Sequence, residues 1–489
     1  MPQSNFGHLP RAASGTLKCP LEGAALLHSA QFNKGSAFSA EERGAFKLQG
    51  LLPPNIQTLD EQVERAYQQY KSRPDDLAKN TFLASMKAQS EVLFYQLLKS
   101  HLKEMFGVIY TPTEAEAIQN YSRLFRKPER CFLNIKEQDR IDEIFRNLPP
   151  GDIDYIVILG IGDQGVGAVL ISSAKLAITT ICGGIHPSRS LPVVLDCGTN
   201  NEHLLNDDLY LGLRQRRVRG EEYDAFVEKF VCAAKKRYPH AYIHFEDFGL
   251  QNAKRILEKY SSQISCFNDE IQGTGCVRLT AMLAGLHLSK VKLEDVRVVC
   301  FGAGSAGTGI ADQISDAIAT EADGSKEDAT SQPGAFTEEI IKEMAKNPED
   351  INTWTEGRAL IATGSPFPPV KYQDVEKEIG ECNNSTVFPG IGLGAILSRT
   401  SHLSMKMIVA ASKALAAAAP ALQAPTKPLL PDVEEVRDLS VKIAKAVIQE
   451  AVREGLAQEY DIPGDARELD DWIRVQMWEP TYRPLERID

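Results

Sequence analysis

Apolar residues recur three and four apart between Thr58 and Phe106: Leu59, Val63, Ala66, Tyr67 and Tyr70, then Phe82, Met86, Val92, Leu93, Tyr95, Leu97 and Leu98. That period belongs to helices with one buried face, and it predicts an all-helical N-terminal module. The run Gly107-Val108-Ile109-Tyr110-Thr111-Pro112 reads as a short β-type segment stopped by proline. From Tyr155 the pattern changes to short apolar runs alternating with helical spacing, the alternation of an α/β region. Strands are predicted at Tyr155–Leu159, Leu191–Asp196, Tyr242–Phe245, from Val296 (VRVVCF) and at Arg358–Thr363. Helices are predicted through Lys175 to Ile181, at Glu221–Arg237, around Ala253, Ile256, Leu257 and Tyr260, and at Ile310–Ala319, Thr337–Lys346, Ser404–Ala418 and Val433–Glu454. Glu321–Gln332 is polar and reads as a linker, and the C-terminal tail is charged.

The stretch Tyr242–Gly275 carries the densest chemistry. Its strand ends on two adjacent carboxylates, Glu246 and Asp247, and a second acidic pair, Asp269 and Glu270, follows one helix later between Phe267 and Ile271. A chain that leaves a strand, makes one helix and returns brings both pairs to one edge of a sheet. Crowded carboxylates repel one another and resist desolvation unless a cation neutralises them. A hard divalent ion such as Mg²⁺ or Mn²⁺ suits all-oxygen ligands and leaves positions for water or substrate. A single acidic pair at a strand end is ordinarily solvated surface; two pairs flanked by aromatic and aliphatic residues favour the metal reading.

Composition narrows the field. The 489 residues suffice for two to four domains, and 43% hydrophobic with 25% charged residues is ordinary for a globular protein. A net charge of −12 provides no basic face for nucleic acid or for an anionic membrane, and no apolar run reaches bilayer length. Nine scattered cysteines without a CxxC spacing read as buried thiols in a reducing compartment. The first twenty residues match a mitochondrial presequence only weakly, so a cytoplasmic location is expected, with the mitochondrial matrix as the alternative.

GxGxxG occurs twice, at Gly160/Gly162/Gly165 and Gly302/Gly304/Gly307, each time between an apolar strand and a helix. That is the setting in which glycines admit a tight turn and a pyrophosphate. The strand after the first motif ends in Asp196, a candidate ribose ligand, and no convincing strand follows the second before Gln332. Local pattern therefore favours the first motif and leaves both open.

An ordered series of segments resembles the malic enzymes, most closely the fungal NAD(P)-dependent branch. The segments are Val108–Thr113, Leu159–Gly167, Ala174–Leu176 with Cys182–Ile185, Leu191–Asn201, His244–Gly249, Phe267–Gly275, Phe301–Gly307, Ala362–Phe367 and Phe388–Gly394. The resemblance runs from about Gly35 to Arg483. It implies oxidation and decarboxylation of malate to pyruvate with NAD or NADP and Mg²⁺ or Mn²⁺, in a homodimer or homotetramer. It moves the nucleotide to the second motif (Gly302, Gly304, Ser305, Ala306, Gly307), and puts metal ligands at Glu246, Asp247 and Glu270. It places Lys175 as the base for the C2 hydroxyl, with Asp269 beside it, Tyr110 as the acid that protonates C3, and Asn384 as a substrate contact. Glu270 stands where the family usually has aspartate, and its extra methylene bears on metal geometry. The fold implied is α/β: a helical N-terminal module (1–110), an α/β substrate and metal domain (111–270 with 384–455), a shortened Rossmann-like dinucleotide-binding domain (271–383) and a C-terminal tail (456–489).

Three departures from the family pattern look like excisions between intact motifs. Gln332 runs straight into Pro333, a Ser-Asn-Pro loop expected before Trp354 is missing, and Val157 joins Ile158 where relatives carry a polar turn with a substrate-gripping arginine. The alternative they raise is an impaired relative that serves as a regulatory or oligomerisation subunit, or that decarboxylates only oxaloacetate. Within the family the alternative is a malolactic enzyme.

Overall fold

The helical period between Thr58 and Phe106 becomes four helices, Leu59–Lys71, Asp76–Gln89, Glu91–Ser100 and Leu102–Ile109. Thr58 opens the first with a reciprocal cap: its hydroxyl accepts from Glu61 N–H at 3.2 Å, and the Glu61 carboxylate accepts from Thr58 N–H at 2.7 Å. The fourth helix corrects the β-type reading of Gly107–Pro112. Met105, Val108 and Ile109 stand three and four apart and are all buried, so they continue a helical face. The chain leaves it at Tyr110, in an extended conformation before a cis Thr111–Pro112 bond.

The computed structural model describes residues 15–162, 165–296, 305–322 and 347–488, together with 6, 8–12 and 298. The chain divides into two compact units, one of 1–153, 161–237 and 474–489, the other of 154–160 and 238–473. These limits cut the chain at other points than the four-part scheme drawn from sequence pattern.

In the first unit, strand β1 (Leu17–Cys19) pairs in parallel with Leu485–Arg487, and Trp478 donates its backbone N–H to Gly184 at 2.6 Å. The end of the charged tail is therefore part of this unit's framework. Strand β2 (Cys131–Asn134), which sequence pattern did not reveal, pairs in parallel with a later strand, Ser190–Asp196. In the second unit, strand β3 (Tyr155–Leu159) pairs in parallel with Tyr242–Glu246, which pairs in turn with Cys266–Asn268. The five residues of β3 are all buried. Two helices of this unit, Phe388–Ser398 and Val436–Arg453, pack closely because Gly390 and Gly394 leave room for Ile443 and Val447.

One other expectation meets the structure differently. Of the strand predicted at Arg358–Thr363 only Ala362–Thr363 forms, paired with Gly380–Glu381. The carbonyls of Gly357 and Ala359 accept from the Lys377 ammonium, which takes up hydrogen bonds a neighbouring strand would otherwise make. The strand predicted from Val296 lies mostly, and the helix at Thr337–Lys346 wholly, outside the described residues.

A buried polar contact joins the Asp76–Gln89 helix to the helix Thr113–Gln119. The Asn80 amide donates to Val108 O at 2.7 Å and to Glu114 Oε2 at 3.1 Å, and Arg126 donates to Asn80 Oδ1 at 2.6 Å. Burial pushes the Glu114 carboxyl up to about 7, against the opposing pull of Asn80 and Arg126; Glu129 adds to the rise and Lys87 opposes it. An unfolded glutamate titrates near pH ~4.3. Between these values the unfolded chain is ionised and the folded one protonated, so this group's contribution to stability falls as pH rises and levels off above about 7. Glu114→Gln is expected to gain on the parent by roughly 3 kcal/mol between about pH 4 and about pH 8. Thermal melts across that range check it; a constant difference between the two proteins would refute it.

Candidate functional site

Two clusters of chemistry-bearing residues form, one in each unit. In the first, the helix Leu170–Gly183 is buried along nearly its whole length, and Lys175 is only 2% exposed. Its ammonium lies 5.2 Å from the centre of the Tyr110 ring, a cation–π contact. Tyr110 meets Phe106 edge-on at 5.6 Å between ring centres. A lysine in a helix is usually solvated; this one is buried beside the tyrosine that the family pattern pairs with it.

The second cluster sits at the carboxyl ends of the adjacent parallel strands Tyr242–Glu246 and Cys266–Asn268, where open α/β sheets place their ligands. Alternation along the first strand puts His244 and Glu246 on one face. Asp247 follows with φ +54°, a left-handed conformation that aspartate tolerates better than most residues and that turns the chain sharply. After Asn268 the chain makes a π-helical turn, Asp269–Gly273, a rare conformation often found at functional sites. Asn268 fixes it: its Oδ1 accepts from Ile271 N–H at 2.9 Å, and its own N–H donates to Gln272 Oε1 at 3.0 Å. Gly273 is required there, because a Cβ would fall on Asp269 Oδ1.

Asp269 is 3% exposed, and Asn384 reaches it from far along the chain. The Asn384 amide donates to Asp269 O at 3.1 Å and Oδ2 at 3.0 Å, and lies 3.2 Å from Thr274 Oγ1. His244, Glu246 and Asp269 each present a ligand atom within 4.8 Å of the others. Glu270 lies beside them with its longer side chain folded back: Oε1 accepts the Asp247 backbone N–H and Oε2 the Asn268 amide at 3.3 Å. Burial first, then the charges of Glu246 and Asp247, hold the Glu270 carboxyl well above its ordinary range. Four carboxyl groups gathered in this way fit a hard divalent cation, whose charge removes the repulsion. Sequence pattern missed His244, although its position two before Glu246 on a strand was the available signal.

Two glycines of the first GxGxxG motif, Gly160 and Gly165, are accounted for by packing, as is the nearby Gly167. A Cβ on Gly160 would meet Phe248 at 2.7 Å, one on Gly165 would meet Thr199 Oγ1 at 2.7 Å, and one on Gly167 would fall on Asp196 Oδ2. Asp196, the candidate ribose ligand, accepts backbone N–H groups from Gly198 at 2.9 Å and Leu213 at 2.7 Å. It holds loops in place, which removes the local argument for that motif. In the second motif Gly302 and Gly304 lie outside the described residues, and Ser305, Ala306 and Gly307 open the helix Ser305–Ala322.

Residues 87–261 match the family model "Malic enzyme, N-terminal domain", and residues 271–332 with 346–452 match "Malic enzyme, NAD binding domain". The mitochondrial NAD-dependent malic enzyme of Saccharomyces cerevisiae is 43% identical over 97% of this chain and 85% of its own length. The NAD-dependent malic enzyme of Schizosaccharomyces pombe is 40% identical over 98% and 100%, and NAD-dependent malic enzyme 3 of Bacillus subtilis 40% over 97% and 98%. The first alignment spans 571 positions against 489 residues here, so at least 82 of its positions have no counterpart in this chain. The fold is α/β, and on these matches the chain belongs to the malic enzyme family.

Proposed function

We propose that the protein oxidises malate with NAD⁺ and decarboxylates it to pyruvate. The observation that carries this reading is the gathering of Glu246, Asp247, Asp269 and Glu270 at the ends of two adjacent strands, with Asn384 clamped onto Asp269. When bound, NAD⁺ would accept the hydride from C2, and Mg²⁺ or Mn²⁺ would draw electron density toward the C2 oxygen. Lys175 takes the hydroxyl proton as that hydride leaves. The C3–C4 bond then breaks, CO₂ departs, and the electron pair forms the enolate of pyruvate. Tyr110 gives a proton to C3, and the proton that Lys175 took from the hydroxyl restores Tyr110. Glu246, Asp247 and Glu270 would hold the metal, Asp269 and Asn384 would orient its surroundings, and Gly302, Gly304, Ser305, Ala306 and Gly307 would receive the dinucleotide at a helix N-terminus. Malate is the small-molecule partner, and a homodimer or homotetramer is the proposed assembly. No helix among the described residues is long and apolar enough to cross a membrane.

NADH formation from malate in the presence of Mn²⁺, with pyruvate measured alongside, tests the reading. A folded protein that forms no NADH would refute it, and pyruvate from oxaloacetate alone would then identify the decarboxylase half as what survives. Mn²⁺ at about a hundred times its dissociation constant is expected to stabilise the protein by roughly 2.7 kcal/mol. A chelator should remove that gain, and Glu246→Gln should largely abolish it. A thermal midpoint indifferent to Mn²⁺ would count against the metal site.

A further inference from the structure

Behind Glu246 lies a second buried chain of hydrogen bonds. His244 is fully buried; its Nδ1 is 2.8 Å from the Tyr155 hydroxyl and its Nε2 is 3.2 Å from Glu246 Oε2. A carboxylate can only accept, so Nε2 donates to Glu246, while Nδ1 shares the second hydrogen bond with the Tyr155 hydroxyl. Both ring nitrogens are thereby engaged. Aromatic neighbours hold the ring in place: Phe267 and Phe388 meet it edge-on at 5.3 and 5.5 Å, and Tyr155 lies at 6.0 Å. Tyr155 is itself fixed by Tyr242, edge-on at 5.0 Å, and by Gly392, where a Cβ would fall on its ring.

We propose that Tyr155 and His244 are positioning residues that set the orientation of the Glu246 carboxylate for its metal ion, and that His244 is not itself a ligand. The proposal rests on the reading of Glu246 as a metal ligand. A hydrogen bond to one carboxylate oxygen fixes the side-chain rotamer and directs the other oxygen away from the histidine, so less order has to be imposed when the metal arrives. Both side chains are fully buried.

The test is Mn²⁺ binding to the purified full chain, measured by electron paramagnetic resonance of the free ion, which requires no turnover. His244→Asn moves the donor out of reach of Glu246 and should weaken Mn²⁺ about 10–100-fold. His244→Gln restores an N–H near the Nε2 position and should recover most of that loss. Tyr155→Phe keeps the ring packing and removes only the hydroxyl, and should weaken Mn²⁺ in the same direction. Circular dichroism melts confirm that each variant folds. If the parent binds Mn²⁺ and neither His244→Asn nor Tyr155→Phe changes its affinity, the proposal fails. A parent that binds no Mn²⁺ would instead defeat the metal-site reading beneath it. Pulsed resonance of the bound ion separates the remaining case, since strong coupling to a directly bound nitrogen would make His244 a ligand and overturn the positioning role.

Discussion

Lys175→Ala will lower turnover of malate by about 10²–10⁴-fold, the usual worth of a positioned general base, while Mn²⁺ affinity and the melting curve stay near those of the parent. The reasoning begins with burial. Lys175 is 2% exposed on a helix whose neighbouring residues are also buried, so its amine is held in one place and water cannot readily substitute for it. Removing the amine leaves the hydroxyl proton of malate without an acceptor at the moment hydride departs. The loss should fall on kcat more than on KM, because proton transfer is made only in the transition state. Tyr110→Phe supplies the complementary measurement. It retains the ring beneath the Lys175 ammonium and deletes only the phenolic hydroxyl, so protonation of C3 should slow while NADH formation suffers less. Equal retention of activity in both variants would mean that neither residue carries the proton chemistry. A Lys175→Ala protein that melts far below the parent would mean that the residue is structural.

The second large effect is on stability. Gly390 and Gly394 lie one turn apart on the helix Phe388–Ser398 and face Ile443 and Val447, also one turn apart, on Val436–Arg453. A Cβ at either glycine would come within 2.6 Å of Ile443 Cβ or 2.8 Å of Val447 Cβ. Glycine inside a helix costs about 1 kcal/mol relative to alanine; here the close approach of two apolar helices offsets that loss. Gly390→Val with Gly394→Val forces the helices apart and should destabilise by roughly 2–6 kcal/mol, at 1–3 for each overpacked site. The melting midpoint should fall by on the order of 10 °C. Gly464→Val serves as the control, since a Cβ at Gly464 would have nothing within 4 Å, and this variant should melt with the parent. A double variant that melts like that control would show that the two helices can part without loss.

Much of the local structure was legible along the chain. The period of three and four between Thr58 and Phe106 specified helices, because one buried face forces that spacing whatever lies opposite. That the acidic pairs come together was legible because strand, helix and strand return the chain to the same sheet edge, and the strands ending at Glu246 and Asn268 are neighbours. Order of motifs also told the family. What sequence alone left open was every choice that depends on a partner distant in the chain. Gly160 and Gly165 match a nucleotide fingerprint, yet Phe248 and Thr199 account for them by packing. Val108 and Ile109 look like strand until Met105 shows that they share a helical face. The charged tail ends in a strand because Leu17–Cys19 offers it an edge to pair with. Tyr155 and His244 are 89 positions apart and share no period, so only the pairing of their strands and the crowding of Phe267, Phe388 and Gly392 decide that they meet. Periodicity and motif order are properties of a chain segment and can be read from it; contacts between segments follow from how the packed faces exclude water, and these the tertiary structure decided.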